Sequence, residues 1–155
     1  MIQSLDRRTL IGLATLGSMA LLGGAFFFQF LGYAPCKMCL WQRWPHAAAI
    51  VIGGAAMVLG GERLLALLGG GAALITGGIG AYHTGVERGW WEGPTSCSGG
   101  GNGLDMGNLL STTGGDVVMC DQVTWQFLSL SMASWNALAS FALVALWIFA
   151  ATRKS

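Results

Sequence analysis

Apolar residues along this chain fall in four long uncharged windows, with the charge gathered in the short clusters between them. No formal charge lies between Arg8 and Lys37, between Arg43 and Glu62, between Arg63 and Glu87, or between Asp121 and Arg153. A bilayer core takes about 20 mostly apolar residues per helix. The windows therefore predict spanning helices over residues 9–29, 45–60, 64–82 and 132–151. The second is short and leans on Trp41 and Trp44 as interfacial anchors. Gly69, Ala73, Gly77 and Ala81 recur every four positions in the third, and Ala49 and Gly53 do so in the second. Small residues at that interval let membrane helices approach closely. The expected architecture is all-α, an integral membrane four-helix bundle forming one domain over residues 1–155.

Composition agrees with the windows. Charged residues make up 10% and apolar ones 54% of the 155 residues, against about 25% charged in soluble domains. The 25 glycines are scattered among Leu, Ala and Ile rather than through polar tracts. A net charge of +1, with no basic cluster interleaved with aromatics, gives no case for nucleic-acid binding. Asp6-Arg7-Arg8 before an apolar stretch also fits a signal peptide or a weak twin-arginine signal. The stretch runs on through Phe26-Phe27-Phe28 without an Ala-x-Ala cut site, so a retained first helix is expected. Four crossings put both termini on one side with Arg7, Arg8, Arg63, Arg153 and Lys154, opposite Lys37, Arg43 and Arg88. The positive-inside rule then places both termini in the cytoplasm. Loops 31–44 and 83–131 face the periplasm of a bacterial inner membrane, where disulfides are permitted. Each loop carries two cysteines.

Those cysteines are the candidate chemistry. Pro35 introduces Cys36-Lys37-Met38-Cys39, and a CxxC pair under a helix N-terminus has a lowered thiol pKa. With a helix starting near Met38, Cys39, Arg43 and His46 share one face, and a cation there favours a thiolate. A lone CxxC also fits a structural disulfide or half of a zinc site. The second loop holds Cys97 and Cys120, five of the seven acids, a tract at 98–103 expected to be mobile, and an apolar piece at 104–110 that fits the membrane surface. Two pairs on one face can exchange through mixed disulfides if one loop moves. Cys97 and Cys120 alone also fit a structural staple, which gains most by closing a long loop. The short CxxC loop gains little from closure, which favours reactivity. A thiolate at the bilayer surface needs an electron acceptor, and lipid-soluble quinones are available at that depth. Arg43 and His46 are candidates to support a reduced quinone oxygen, with His83 another on the same side. The competing readings are a four-thiolate metal-binding membrane protein and a disulfide-stapled structural tetraspan protein. Cys97 and Cys120 are widely dispersed for a zinc site.

Pro35-Cys36-Lys37-Met38-Cys39-Leu40-Trp41-Gln42-Arg43 resembles the first periplasmic loop of the DsbB family of quinone-linked, disulfide-generating membrane proteins. Ala81-Tyr82-His83-Thr84-Gly85-Val86-Glu87, Trp90-Trp91, Gly93-Pro94, Cys97, Cys120-Asp121 and Leu130-Ser131-Met132-Ala133-Ser134-Trp135-Asn136 resemble its later segments. The resemblance implies that Cys36–Cys39 is a disulfide oxidised by ubiquinone or menaquinone, with Cys39 the sulfur that meets the quinone. It implies that Cys97–Cys120 oxidises a DsbA-like thioredoxin-fold partner, Cys97 taking the attack. A transient Cys36–Cys120 disulfide would connect the pairs, and Arg43 matches the family's quinone-supporting arginine.

Overall fold

In the computed structural model, residues 6–59, 62–95, 97 and 118–153 are described. Gly60-Gly61, the tract at 98–103, the apolar piece at 104–110 and Lys154 lie outside them. Four helices carry the described chain: α1 (Arg7–Phe30), α2 (Lys37–Leu59), α3 (Glu62–Glu87) and α4 (Met132–Thr152). Three of them, over Arg7–Phe30, Arg63–Glu87 and Met132–Thr152, are long and apolar enough to cross a membrane.

The helices pack in a ring. α3 lies against α4 and α2, and α1 closes the ring between α2 and α4, with little contact across the diagonal from α1 to α3. Neighbours run in alternating directions. Arg7 at the start of α1 donates Nε–H to the carbonyl of Ala150, 3.2 Å away near the end of α4. At the other end, Arg43 in α2 reaches Gln29 near the end of α1, and Thr84 in α3 pairs with Ser134 in α4. Every candidate site residue therefore sits at one end of the bundle.

The close approach of α3 to α4 uses the expected glycines with one exchange. A side chain at Gly69 would collide with Trp147 of α4, one at Gly77 would be tight against Phe141 and Ser140, and Ala73 is buried. Ala81 is exposed, and Gly80 instead faces Ala133 and Ala137. The cause is helical drift. At 3.6 residues per turn, twelve positions rotate the face by about 120°, whereas eleven return it within about 20°. On α2, Gly53 gives Thr15 of α1 its room.

Two other elements depart from the composition windows. α2 begins at Lys37, eight residues before the span read from the sequence, so Trp41, Gln42, Arg43 and Trp44 are helical rather than loop. The helix can start there because Cys36 caps it: its carbonyl accepts from Leu40 N–H at 3.2 Å and its sulfur from Cys39 N–H at 3.3 Å. Pro45 then lies inside the helix, where it cannot donate to the carbonyl of Trp41. Before α4, β1 (Gln126–Phe127) pairs antiparallel with β2 (Leu130–Ser131) through a turn at Leu128 and Ser129. Both turn residues have positive φ, 51° and 60°. That backbone normally selects Asn-Gly, so the pair gave no turn signal.

Candidate functional site

The four cysteines meet in one cluster. Cys36, Cys97 and Cys120 are buried together with Met38 and Val86, and Cys39 packs against them. Cys97 and Cys120 form a disulfide with Cα atoms 5.3 Å apart, and Cys120 N–H donates to the Cys97 carbonyl at 2.6 Å. The sequence reading put this pair on an accessible loop. Here both residues are covered, Cys97 4% and Cys120 0% exposed, because they pack against Cys36, Met38 and Val86. Cys36 and Cys39 are unbonded thiols with Sγ atoms 2.9 Å apart.

The first sulfur is set up as an anion. Hydrogen bonding from Cys39 is the largest influence, and the His83 ring and the Cys39 backbone N–H add to it against the cost of burial. Together they bring Cys36 from 9.0 down to about 4. The group facing this sulfur is His83, whose Nε2 lies 3.5 Å from Cys36 Sγ and 3.2 Å from the Cys120 carbonyl. Arg43 looks elsewhere. Its Nη1 donates to Gln29 Oε1 at 2.6 Å and its Nη2 to the Ala25 carbonyl at 3.3 Å, with the guanidinium 4.7 Å from the Phe26 ring centre. The expected face-sharing of Cys39, Arg43 and His46 does occur, since all three border one cavity.

A depressed thiol pKa has a direct consequence. The reactive thiolate persists well below neutral pH and is lost as pH falls through about 4. Rapid alkylation of the reduced protein at Cys36 should therefore stay nearly constant from pH 8 to pH 5. A rate falling tenfold per unit below pH 8 would show an ordinary thiol.

Polar side chains join the thiols to the cavity. Gln42 Nε2 donates to the Met38 carbonyl at 3.1 Å and lies 3.1 Å from His83 Nδ1. Asn136 Nδ2 donates to Gln42 Oε1 at 2.7 Å and to Thr76 Oγ1 at 3.3 Å. Thr76 Oγ1 donates to the Gln42 carbonyl at 3.1 Å, and Asn136 Oδ1 lies 2.9 Å from His46 Nε2. Gln42, Thr76 and Asn136 were not singled out in the sequence. Isolated amides and hydroxyls in apolar helices have no local spacing that marks them.

The cavity, about 430 Å³, opens between the ends of α1, α2 and α4 and the hairpin. Cys36, Cys39, Arg43, His46, His83 and Glu87 contribute its polar edge, and Phe28, Trp125, Phe127 and Trp135 its aromatic wall. Phe28 and Trp125 lie 5.1 Å apart, ring to ring. Among the described residues, two polar atoms of this lining are buried without a partner, the donor Arg43 Nε and the ring nitrogen His46 Nδ1.

Cys36, Cys39 and His83 hold three potential metal-ligand atoms within 4.8 Å of one another. The four-thiolate set is not assembled, because Cys97 and Cys120 are bonded to each other. His83 also presents the wrong nitrogen form. Gln42 is oriented by the Met38 carbonyl, so its NH₂ faces His83 Nδ1, which must accept. The ring proton then sits on Nε2, toward the sulfurs, where a metal would need a lone pair.

Comparison with known proteins gives the family. A family model described as disulfide bond formation protein DsbB matches residues 7–150. A disulfide bond formation protein B of Methylococcus capsulatus is 32% identical, covering 90% of this chain and 94% of that protein. One from Xanthomonas oryzae is 31% identical over 92% and 88%, and one from Polaromonas 27% over 94% and 91%. No solved structure matches the chain. With its family match running from the start of α1 almost to the end of α4, this chain belongs to the DsbB family of membrane disulfide bond formation proteins.

Proposed function

We propose that the protein reoxidises a periplasmic DsbA-like thioredoxin-fold dithiol and passes the electrons to a membrane quinone, ubiquinone or menaquinone. The observation that carries this reading is the cavity. It brings a CxxC pair, one sulfur of which is held as a thiolate, against an apolar and aromatic space edged by unpartnered polar atoms. About 430 Å³ is the size of a small-molecule site. A flat conjugated ring with carbonyl oxygens fits both the wall and the orphaned Arg43 Nε–H. When bound, the quinone supplies a sink for two electrons and two protons.

The chain's own steps are thiol–disulfide exchanges. The partner's thiolate attacks Cys97, breaking Cys97–Cys120 and releasing Cys120 as the thiolate. The partner's second thiol then displaces Cys97 and leaves as a disulfide. Cys120 next attacks Cys36 of an oxidised Cys36–Cys39 pair, and Cys97 resolves that bond, so that two thiols remain at Cys36 and Cys39. In this form Cys39, the less buried residue of the two, would face the quinone, and the Cys36 thiolate 2.9 Å away would close the disulfide as the pair gives up two electrons. His83 bridges the two pairs, stabilising the Cys36 anion while holding the Cys120 carbonyl. Because Cys97 is covered, partner attack requires the segment around Cys97 and Cys120 to lift from α2 and α3. Both termini are assigned to the cytoplasm of a bacterial inner membrane, with this end of the bundle facing the periplasm.

The experiment removes the second pair. Cys97→Ser with Cys120→Ser should keep quinone-dependent oxidation of dithiothreitol, a reductant small enough to reach Cys39. It should oxidise a thioredoxin-fold dithiol at under a tenth of the parental rate. Parental turnover of that partner would reduce the second pair to a structural staple.

A further inference from the structure

The buried polar chain that leads from the thiols ends at His46, and its direction is set by one backbone group. The Met38 carbonyl can only accept, so the Gln42 atom beside it is Nε2 and the one facing Asn136 is Oε1. Asn136 must therefore offer Nδ2 to Gln42, which leaves its Oδ1 2.9 Å from His46 Nε2. An amide oxygen accepts, so His46 Nε2 carries the proton. Its Nδ1 is then a bare lone pair. That atom is buried with no partner among the described residues, on a residue only 3% exposed that borders the cavity.

A buried acceptor without a donor is costly. The oxygens of a quinone can only accept and so repel a lone pair, whereas its reduced form has hydroxyls that can donate. We propose that His46 makes the cavity selective for the redox form of its ring ligand, its Nδ1 accepting from a hydroxyl of the quinol, and that Asn136 and Gln42 are positioning residues holding this tautomer. The inference rests on the quinone reading above and deepens it. No bond is made or broken at His46. By holding the two-electron, two-proton product more tightly than the substrate, it makes the bound quinone a better oxidant of the Cys36–Cys39 dithiol by the same ratio.

The test is a binding measurement in a background that cannot turn over. In full-length Cys36→Ala/Cys39→Ala protein in detergent, titration with a short-tailed ubiquinol and with its quinone is followed by quenching of Trp125 and Trp135, which border the cavity. The quinol should bind about tenfold more tightly, the scale of one buried hydrogen bond restored. His46→Leu should erase that preference by weakening the quinol alone, leaving the quinone within about twofold. Asn136→Asp should reverse it, since a carboxylate can hold a doubly protonated His46 whose Nδ1–H donates to a carbonyl. Equal losses of both forms in His46→Leu, or an unchanged ratio, would overturn the proposal while leaving the quinone site standing. Failure of either form to bind the parent would remove the site itself. Nitrogen-15 NMR of the imidazoles in the unsubstituted chain gives an independent check: a protonated Nε2 and bare Nδ1 at His46 are expected, and the opposite tautomer contradicts the assignment.

Discussion

Replacing Cys36 and Cys39 together with serine should end catalysis after one event. Such a chain retains Cys97–Cys120, so it can oxidise one equivalent of a thioredoxin-fold dithiol per molecule and then stops. The reason lies in connectivity. Neither Cys97 nor Cys120 borders the cavity, whereas Cys36 and His83, which they pack against, both do. With the CxxC pair gone, electrons held on the second pair have no route to the acceptor. A stopped-flow or quench measurement should show a stoichiometric burst and no steady state. Continued turnover at even a few per cent of the parental rate would mean that the second pair reaches the acceptor directly.

The second large effect is expected at Arg43. Its Nη1 and Nη2 are committed to α1, which fixes the guanidinium and leaves Nε buried and free to donate into the cavity. Arg43→Ala removes that donor and the tie between α1 and α2 together. Loss of a hydrogen bond to a charged group costs about 1.5–3 kcal/mol, so the apparent KM for quinone should rise roughly tenfold to a hundredfold. Arg43→Lys keeps the charge and loses the fork, and should fall between the two. A parental KM in the alanine variant would leave Arg43 as a residue that only anchors α1.

Much of this was legible in the residues because charge and cysteine spacing are strong local signals. Uncharged windows located four helices, and Cys36 with Cys39 marked the end of the bundle where the cysteine cluster and the cavity lie. Helix boundaries were less legible. The polar run Gln42-Arg43 reads as loop when windows are cut at charges, yet Arg43 ties Nη1 and Nη2 to α1 while Gln42 turns inward. The hairpin escaped because Leu128-Ser129 adopts a backbone that its residues do not advertise. The amide relay escaped for another reason. Gln42 and Asn136 are 94 positions apart, and no periodicity connects residues brought together only by packing of α2 on its neighbours. His83 is one candidate for the quinone oxygen from its place near the end of α3. It borders the cavity, but its Nε2 faces Cys36 and the Cys120 carbonyl, between the pairs, while Gln42 takes its Nδ1.

The central claim is that Cys36 and Cys39 deliver their electrons to a quinone in this cavity. It is tested most directly by a single anaerobic turnover of the Cys97→Ser/Cys120→Ser protein, reduced with dithiothreitol, freed of reductant and mixed with excess ubiquinone analogue. One quinol should form per chain while one Cys36–Cys39 disulfide appears, both at the same rate. Disulfide formation without quinol, or quinol formed while both thiols remain alkylatable, would contradict the account.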